Sequence, residues 1–331
     1  MTLTVAGETA GVSSESIRSD PQAMRQGLVE LATAHATTWT GPLDDVVDLL
    51  AEVARIDLCL ARLVEGHCDA LRIIEQAGLR PLDGVYGVWA SRSVNTGLNA
   101  VREGHRWVLS GELRYASGVD LIDRALVPMT LEGGDSQLLD VPVGFGVADP
   151  SVWQTAGMDA ARTFTITVDG EPVAGEPVGQ PGFYLDRPGF VVGGLCVAAV
   201  WAGGAQQILD VVVEGLRRFP STPHQLRRLG AIEEAAWTAG VAVRSTARRI
   251  RELPPDDVAR EVNLARTAVV HACEAVLAET PVVVGPGGLS RNTRLVRGLS
   301  DLAVYIRQHH VDGVMTALGE QALTRHEPLP T

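Results

Sequence analysis

The hydrophobic period of this chain changes twice, and any fold it adopts must accommodate both changes. Between Pro21 and about Gly78 the period is helical: Val46, Val47, Leu49, Leu50, Val53, Ile56, Leu60, Leu63 and Val64 recur at the spacing of one helix face. Asp44 or Asp45, after Pro42, is the candidate cap for this run. From about Pro81 to Phe190 the pattern shortens. Arg106 to Gly111 reads as a strand ending in a turn, and Thr163 to Val168 alternates before Asp169-Gly170, a hairpin signal. From about Gly194 to Ala322 helical spacing returns. Segments run from Cys196 to Arg218, from His224 to Leu253 (stopped by Pro254-Pro255) and from Asp256 to Glu279. A Gly-rich turn, Gly285 to Gly288, then leads into a last helix through His309 and His310. Long helices on short loops make a bundle. The expected fold is therefore α+β, mainly α: an N-terminal helical domain over 1–80, a small central β-barrel or sheet domain over 81–190, and a C-terminal four-helix bundle over 191–331.

Bulk properties narrow the function. At 331 residues the chain has material for two or three packed units. Its formal net charge is −12, which argues against nucleic acid and against an anionic membrane as partners. All 28 basic residues are Arg, a compositional rather than mechanistic trait. Cys59, Cys68, Cys196 and Cys273 form no CxxC pair, so buried free thiols are expected, not a zinc site or redox dithiol. His67 and Asp69 stand two apart on a helix, where side chains diverge, and no metal site is expected. The segment Met1 to Ser19 has no apolar core of a signal peptide, and no run of about 18 uninterrupted apolar residues occurs; the expectation is a cytoplasmic protein.

Several strings, in order, carry a family resemblance. Trp107 to Gly118 resembles the β-domain strand pair of the acyl-CoA dehydrogenases, where an aromatic and a Thr or Ser two residues on lie against the flavin. Gly157-Met158, Arg162-Thr163 and Asp169-Gly170 resemble the second half of that domain. Ala198-Ala199, Gly204-Ala205 and Asp210 look like its first bundle helix, His224-Gln225 like the start of the next, and Gly285 to Gly288 followed by Asp301 like its Gly-rich turn and last helix. The likeness spans Asp44 to Ala322.

The resemblance implies a flavin cofactor, FAD or FMN, and site residues. Tyr115 would pack on the flavin ring and Ser117 donate to it; Trp89, Ala90 and Ser91 fall where the family has Thr-Glu-Pro beside the flavin pyrimidine, and Trp89 can either stack there or block the pocket. Arg217, Arg218 and Gln225 would meet the flavin phosphates, and Gly287 and Gly288 resemble a phosphate cradle, though a plain helix-to-helix turn explains them equally well. Two departures stand out. The family's base Glu falls on His309, its alternative position falls near Gly193, and neighbouring His310 and Gln308 are no acids either. The segment Arg217 to Gln225 is about three residues shorter than the family's loop, and two prolines stiffen it.

Imidazole is an acid or base near neutral pH, and flavin monooxygenases on this fold carry a His in this region, so His309, with His310 as its neighbour, is the catalytic candidate. A His on the apolar stripe of Leu302, Tyr305 and Ile306 can equally be a core residue. The expectation is a flavin-dependent oxidoreductase that is not a standard α,β-desaturase, with monooxygenase-like use of reduced flavin as its concrete form. The alternative is a non-catalytic partner subunit of a hetero-oligomeric dehydrogenase. Expected partners are a small-molecule substrate, an acyl thioester among the candidates, a second copy in a homodimer or homotetramer, and a flavin reductase or related subunit.

Overall fold

The computed structural model describes residues 3–5, 8–10, 14–18, 20–91, 96–218 and 220–325. Helix α1 (Pro21–Ala34) starts on Asp20, whose carboxylate accepts the Ala23 N–H at 2.9 Å. Helix α2 (Leu43–Ile56) starts after Pro42; Asp44 and Asp45 lie in its first turn, where they favour the helix dipole, and neither is the cap. The apolar run expected as one helix is two. Asp57 takes an extended backbone and caps α3 (Leu58–Gln76) by accepting from Cys59 and Leu60 N–H at 2.9 and 3.0 Å.

The central block is an eight-stranded mixed sheet among the described residues. Its strands are β1 (Tyr86–Val88), β2 (Gly97–Glu103), β3 (Arg106–Ala116), β4 (Arg124–Leu131), β5 (Ser136–Pro142), β6 (Val147–Asp149), β7 (Phe164–Val173) and β8 (Glu176–Val178). They lie in the order β8-β5-β4-β2-β3-β7-β6, with β1 parallel to β4. Two local readings of the sequence are corrected here. Strand β3 does not stop at Gly111 but runs on to Ala116. Gly111 has φ 127°, and a Cβ there would fall 2.4 Å from the Gly97 carbonyl oxygen, so the glycine serves close strand approach and not a turn. Nor is Asp169-Gly170 a hairpin. Pairing steps from Ser110–Asp169 to Leu109–Glu171, leaving Gly170 (φ 66°) as the extra residue of a β-bulge inside β7. The tight turn is instead Gly104-His105, between β2 and β3.

The C-terminal region comprises α4 (Phe190–Leu216), α5 (Pro223–Arg249), α6 (Pro255–Arg291), α7 (Thr293–Tyr305) and α8 (Val311–Arg325). The Gly-rich segment is not an open turn. Only Gly285 leaves helical geometry, at φ 62° and ψ −177°, and kinks α6; Gly287 and Gly288 are helical. The last expected helix also stops early. After Tyr305 comes a single 3-10 turn, Ile306–Gln308, and His309 is extended at φ −92°, ψ 120°. His309 and His310 thus stand in a link, and α8 follows them as a separate helix. The C-terminal tail expected to fray after Arg325 lies outside the described residues.

Helices α4 and α6 are each long and apolar enough to cross a membrane, but 83% of the apolar stretch of α4 is buried inside the fold against 39% for that of α6. Helix α4 is the central element of the bundle because small residues bring its neighbours close. A Cβ on Gly203 would meet the Ala51 carbonyl oxygen of α2 at 2.2 Å, and one on Gly204 the Leu58 side chain at 2.8 Å. The backbone contact at Gly203 cannot relax without separating the helices, whereas the Leu58 side chain can shift. Gly203→Ala is expected to destabilise the fold by about 2–3 kcal/mol, the upper part of the overpacking range, read from the urea midpoint of the protein; an unchanged midpoint would show that the α2–α4 contact is looser than this.

Candidate functional site

The site is positioned by one buried charge node. Arg18 donates to Asp57, the cap of α3, and at 2.5 Å to Asp301 of α7. The other Asp301 oxygen accepts the Met158 N–H at 2.6 Å, and a Cβ on Gly157 would lie 2.4 Å from the Ser300 carbonyl oxygen. Burial pushes the Asp301 carboxyl up to about 6, while Arg18 and the Met158 N–H pull it down. Because arginine stays charged, the node is ionic at neutral pH. Cys59, Asp159 and Asp301 bring ligand atoms within 4.8 Å of one another, a metal-like grouping, but Arg18 already supplies the cation: it contacts the Cys59 sulfur at 3.3 Å and Asp159 at 3.7 Å. This node fixes α7, and α7 delivers Tyr305 and His309.

Around these two residues the fold builds a buried polar cluster. Trp201 of α4 is its hub. Its ring meets Tyr305 edge-on at 6.0 Å, His309 at 6.2 Å, and the guanidinium of Arg266 of α6 at 5.7 Å. The His309 Nε2 shares a hydrogen bond with the Thr267 hydroxyl at 2.9 Å. Burial, then the positive Arg266, push His309 down to about 4, so its ring is neutral at pH 7. His310 is exposed.

Sequence reasoning missed the second half of the cluster, which comes from α3. Arg62 donates to Glu65 at 2.7 Å, Glu65 is buried, and burial raises its carboxyl to about 7. One turn on, burial likewise pushes Asp69 up, opposed by Arg187 3.7 Å away. Glu65, Asp69 and Arg62 share one face at i, i+3/i+4 and i, i+7 spacing, interrupting an otherwise apolar helix; that pattern was the available signal.

On the sheet side the structure joins two of the expected cofactor residues. The Trp89 indole N–H donates to the Ser117 carbonyl at 2.9 Å, and the Ser117 hydroxyl accepts from Thr163 at 3.0 Å. Trp89, Ser117, Arg62 and Gly66 line a cavity of about 10 Å³, the size of a single water. Arg62 therefore connects the sheet side to the Tyr305 cluster. Tyr115, by contrast, is 55% exposed and has a left-handed backbone, φ 61°. A non-glycine residue held there stores on the order of 1–3 kcal/mol, and such strain gathers at functional sites. Ser91 is exposed on the same connection as Trp89.

The remaining candidates lie elsewhere. Arg217 and Arg218 cap the far end of α4, about 24 Å along the helix from Trp201 at 1.5 Å per residue. Arg218 pairs with Glu214. Gln225 closes a capping box with Thr222 and donates to the Val283 carbonyl at 3.3 Å, next to the Gly285 kink and to Gly287 and Gly288. Of the expected phosphate residues, Gln225 lies beside the Gly285 to Gly288 segment, and Arg217 and Arg218 stand at the end of α4.

No protein-family model matches the chain, and no curated protein sequence matches it. Solved structures do. TdsC from Paenibacillus sp. A11-2, a dibenzothiophene monooxygenase, in its complex with FMN and indole superposes with a TM-score of 0.78 at 16% identity, covering 94% of this chain and 91% of that one. KijD3 in complex with FMN and a dTDP-linked amino-keto sugar gives 0.73 at 19% identity over 93% of this chain and 86% of that one. Methanesulfinate monooxygenase MsuC from Pseudomonas fluorescens gives 0.69 at 17% over 95% and 99%.

The neutrality of His309 has a measurable consequence. Its pKa is about 4 in the fold and about 6.5 in an unfolded chain. Between those values the unfolded chain binds the extra proton, so this residue's contribution to stability is complete above pH 6.5 and is lost as pH falls toward 4. Glu65 and Asp301, raised to about 7 and about 6, act in the opposite sense. The observable is therefore a difference: the stability gap between wild type and His309→Asn is expected to shrink steadily from pH 6.5 to 4, and the His309 ring resonances to titrate near 4 by NMR. Titration near 6.5 would place the ring in water.

Proposed function

We propose that this chain, which has the acyl-CoA dehydrogenase-like fold of the flavin monooxygenases it superposes on, is a flavin-dependent monooxygenase acting on a small organic molecule. The observation that carries the reading is His309. It occupies the region where the resemblance puts a base Glu, and there it is buried, neutral, hydrogen-bonded to Thr267 and packed on Trp201. A neutral imidazole can accept a proton from a substrate or relay one; it is poorly suited to the carbon-acid abstraction for which a buried carboxylate is tuned.

The chain's residues fit a flavin in a specific way. The single-water cavity cannot admit a ring system, so Trp89, Ser117 and Thr163 form a buried floor, and the exposed Tyr115 ring with Ser91 offers the planar and polar contacts. Reduced flavin bound there would supply the electrons that activate dioxygen. Trp201 and Tyr305 would exclude water, Thr267 would orient the imidazole, and His309 would hold or move the proton at Nε2. Arg217 and Arg218, at the end of α4 about 24 Å along the helix from Trp201, and Gln225 beyond them would meet a flavin phosphate across a homo-oligomer. Leu226 and Trp237, three turns apart on one exposed face of α5, support such an assembly, as does the poorly buried apolar length of α6. A flavin reductase is the partner this chemistry requires.

The small size of the cavity beside Trp89 also suits the rival reading, a non-catalytic partner subunit. One assay separates them. Purified protein is titrated with FMN and FAD by visible absorption, then supplied with a reductase, NADH, dioxygen and indole as trial substrate. Bound flavin with an oxygenated product, and a loss of about 10²–10⁴-fold in kcat in His309→Ala, is the expected outcome. No perturbation of the flavin spectrum at saturating cofactor, oxidised or reduced, would leave the partner subunit standing.

A further inference from the structure

Three buried donors around the Trp201 hub lack an acceptor. The Arg266 Nε, the Trp201 Nε1 and the Tyr305 hydroxyl are all sealed without a hydrogen-bond partner among the described residues. Arginine and indole can only donate, so the missing group is an acceptor. The charge balance says more. Arg62 is taken by Glu65, Arg187 by Asp69 and the Tyr184 carbonyl, and Arg72 by the Trp39 and Gly41 carbonyls. Arg266 makes no hydrogen bond or ion pair with any described residue; it stacks on the Trp201 face, and Glu65 and Tyr305 favour its charge from beyond hydrogen-bond distance. Burial pushes its guanidinium down while Glu65 and Tyr305 push it up, and the residue keeps partial exposure, so the cation is only partly offset.

The position is built, not incidental. A Cβ on Gly194 would come within 2.9 Å of the Arg266 Nη1 and 3.0 Å of its Cδ, so the glycine at the start of α4 makes room for this side chain. Its neighbour Gly193 does the same for Asp69, 3.0 Å from the Cβ position.

We infer that Arg266, with the Tyr305 hydroxyl and the Trp201 indole N–H, binds the carboxylate of an acidic organic substrate and so sets it beside His309. A planar guanidinium takes two carboxylate oxygens at once, and the aromatic rings of Trp201 and Tyr305 offer an apolar wall to the remainder of the molecule. The inference rests on the proposed active site for its chemistry, yet its binding step needs no flavin.

Calorimetric titration of the flavin-free protein with benzoate, and with its neutral isostere benzamide, tests it. Benzoate is expected to bind at least about tenfold more tightly than benzamide. Arg266→Met should erase that difference without lowering the melting temperature, because a half-buried cation without a hydrogen-bonded partner is removed. Should Arg266→Met fail to fold, Gly194→Ala carries the test: displacing the guanidinium should weaken benzoate several-fold and leave benzamide unchanged. Equal binding of the two probes, absence of benzoate binding, or unchanged benzoate binding in Arg266→Met overturns the inference. So does a variant that loses FMN and keeps benzoate, since the cation would then serve the flavin phosphate. A wild type that discriminates the two probes but binds no flavin leaves the subsite standing and removes the monooxygenase reading.

Discussion

Everything that defines the site depends on Arg18 being held between Asp57 and Asp301. Asp57 is at once the break between α2 and α3 and the cap of α3; Asp301 is at once the anchor of α7 and the acceptor of a sheet-side backbone N–H. One guanidinium therefore ties the first helical region, the connection before β7 and the last helices of the bundle. Removing either partner from such a group leaves an uncompensated buried charge, which costs on the order of 3–5 kcal/mol. The same node explains why a grouping of Cys59, Asp159 and Asp301 needs no metal: the positive charge is supplied by the chain itself.

How much of this was legible in the sequence follows from which signals are local. The helix–sheet–helix order is written in the change of hydrophobic period, and it is what the structure has. Local punctuation was less reliable. Gly111 and Gly170 read as turns because Gly is permissive, but both sit inside strands, where one permits close approach and the other a bulge. The Gly285 to Gly288 segment read as an open turn, yet after the kink at Gly285 the helix resumes. His309 was found through its likeness to a base position, although the helix supposed to carry it ends at Tyr305. The burial of His309 was recovered for a different reason than the one expected: the 3-10 turn folds it back against Trp201.

The half of the site that sequence reasoning missed is long-range. Arg62, Glu65 and Asp69 are unremarkable as charges on a helix until α4, α6 and the Arg187 segment close over them. Arg18 lies 283 residues from Asp301, and no periodicity connects them. Such pairings are set by tertiary packing, and in an isolated sequence their only trace is a charged residue at a position the helical stripe would fill with an apolar one.

His309, which the resemblance sets where that family has its base Glu, is best understood together with Arg266. Position 309 and Arg266 both face the Trp201 ring. A carboxylate at 309 would pair with that guanidinium, and the pair would be lost both as a base and as a cation, since each charge would stabilise the other. A neutral imidazole does not. It shares a hydrogen bond with Thr267 and adds no counter-charge to Arg266, which Glu65 offsets only from a distance. Under the proposed function, the missing acid and the orphaned arginine are then one adaptation: the site has exchanged a fixed negative charge for the capacity to receive one with the substrate. When an anion arrives beside it, the Arg266 contribution to His309's lowered pKa is offset and the pKa rises, with burial still opposing the charged ring.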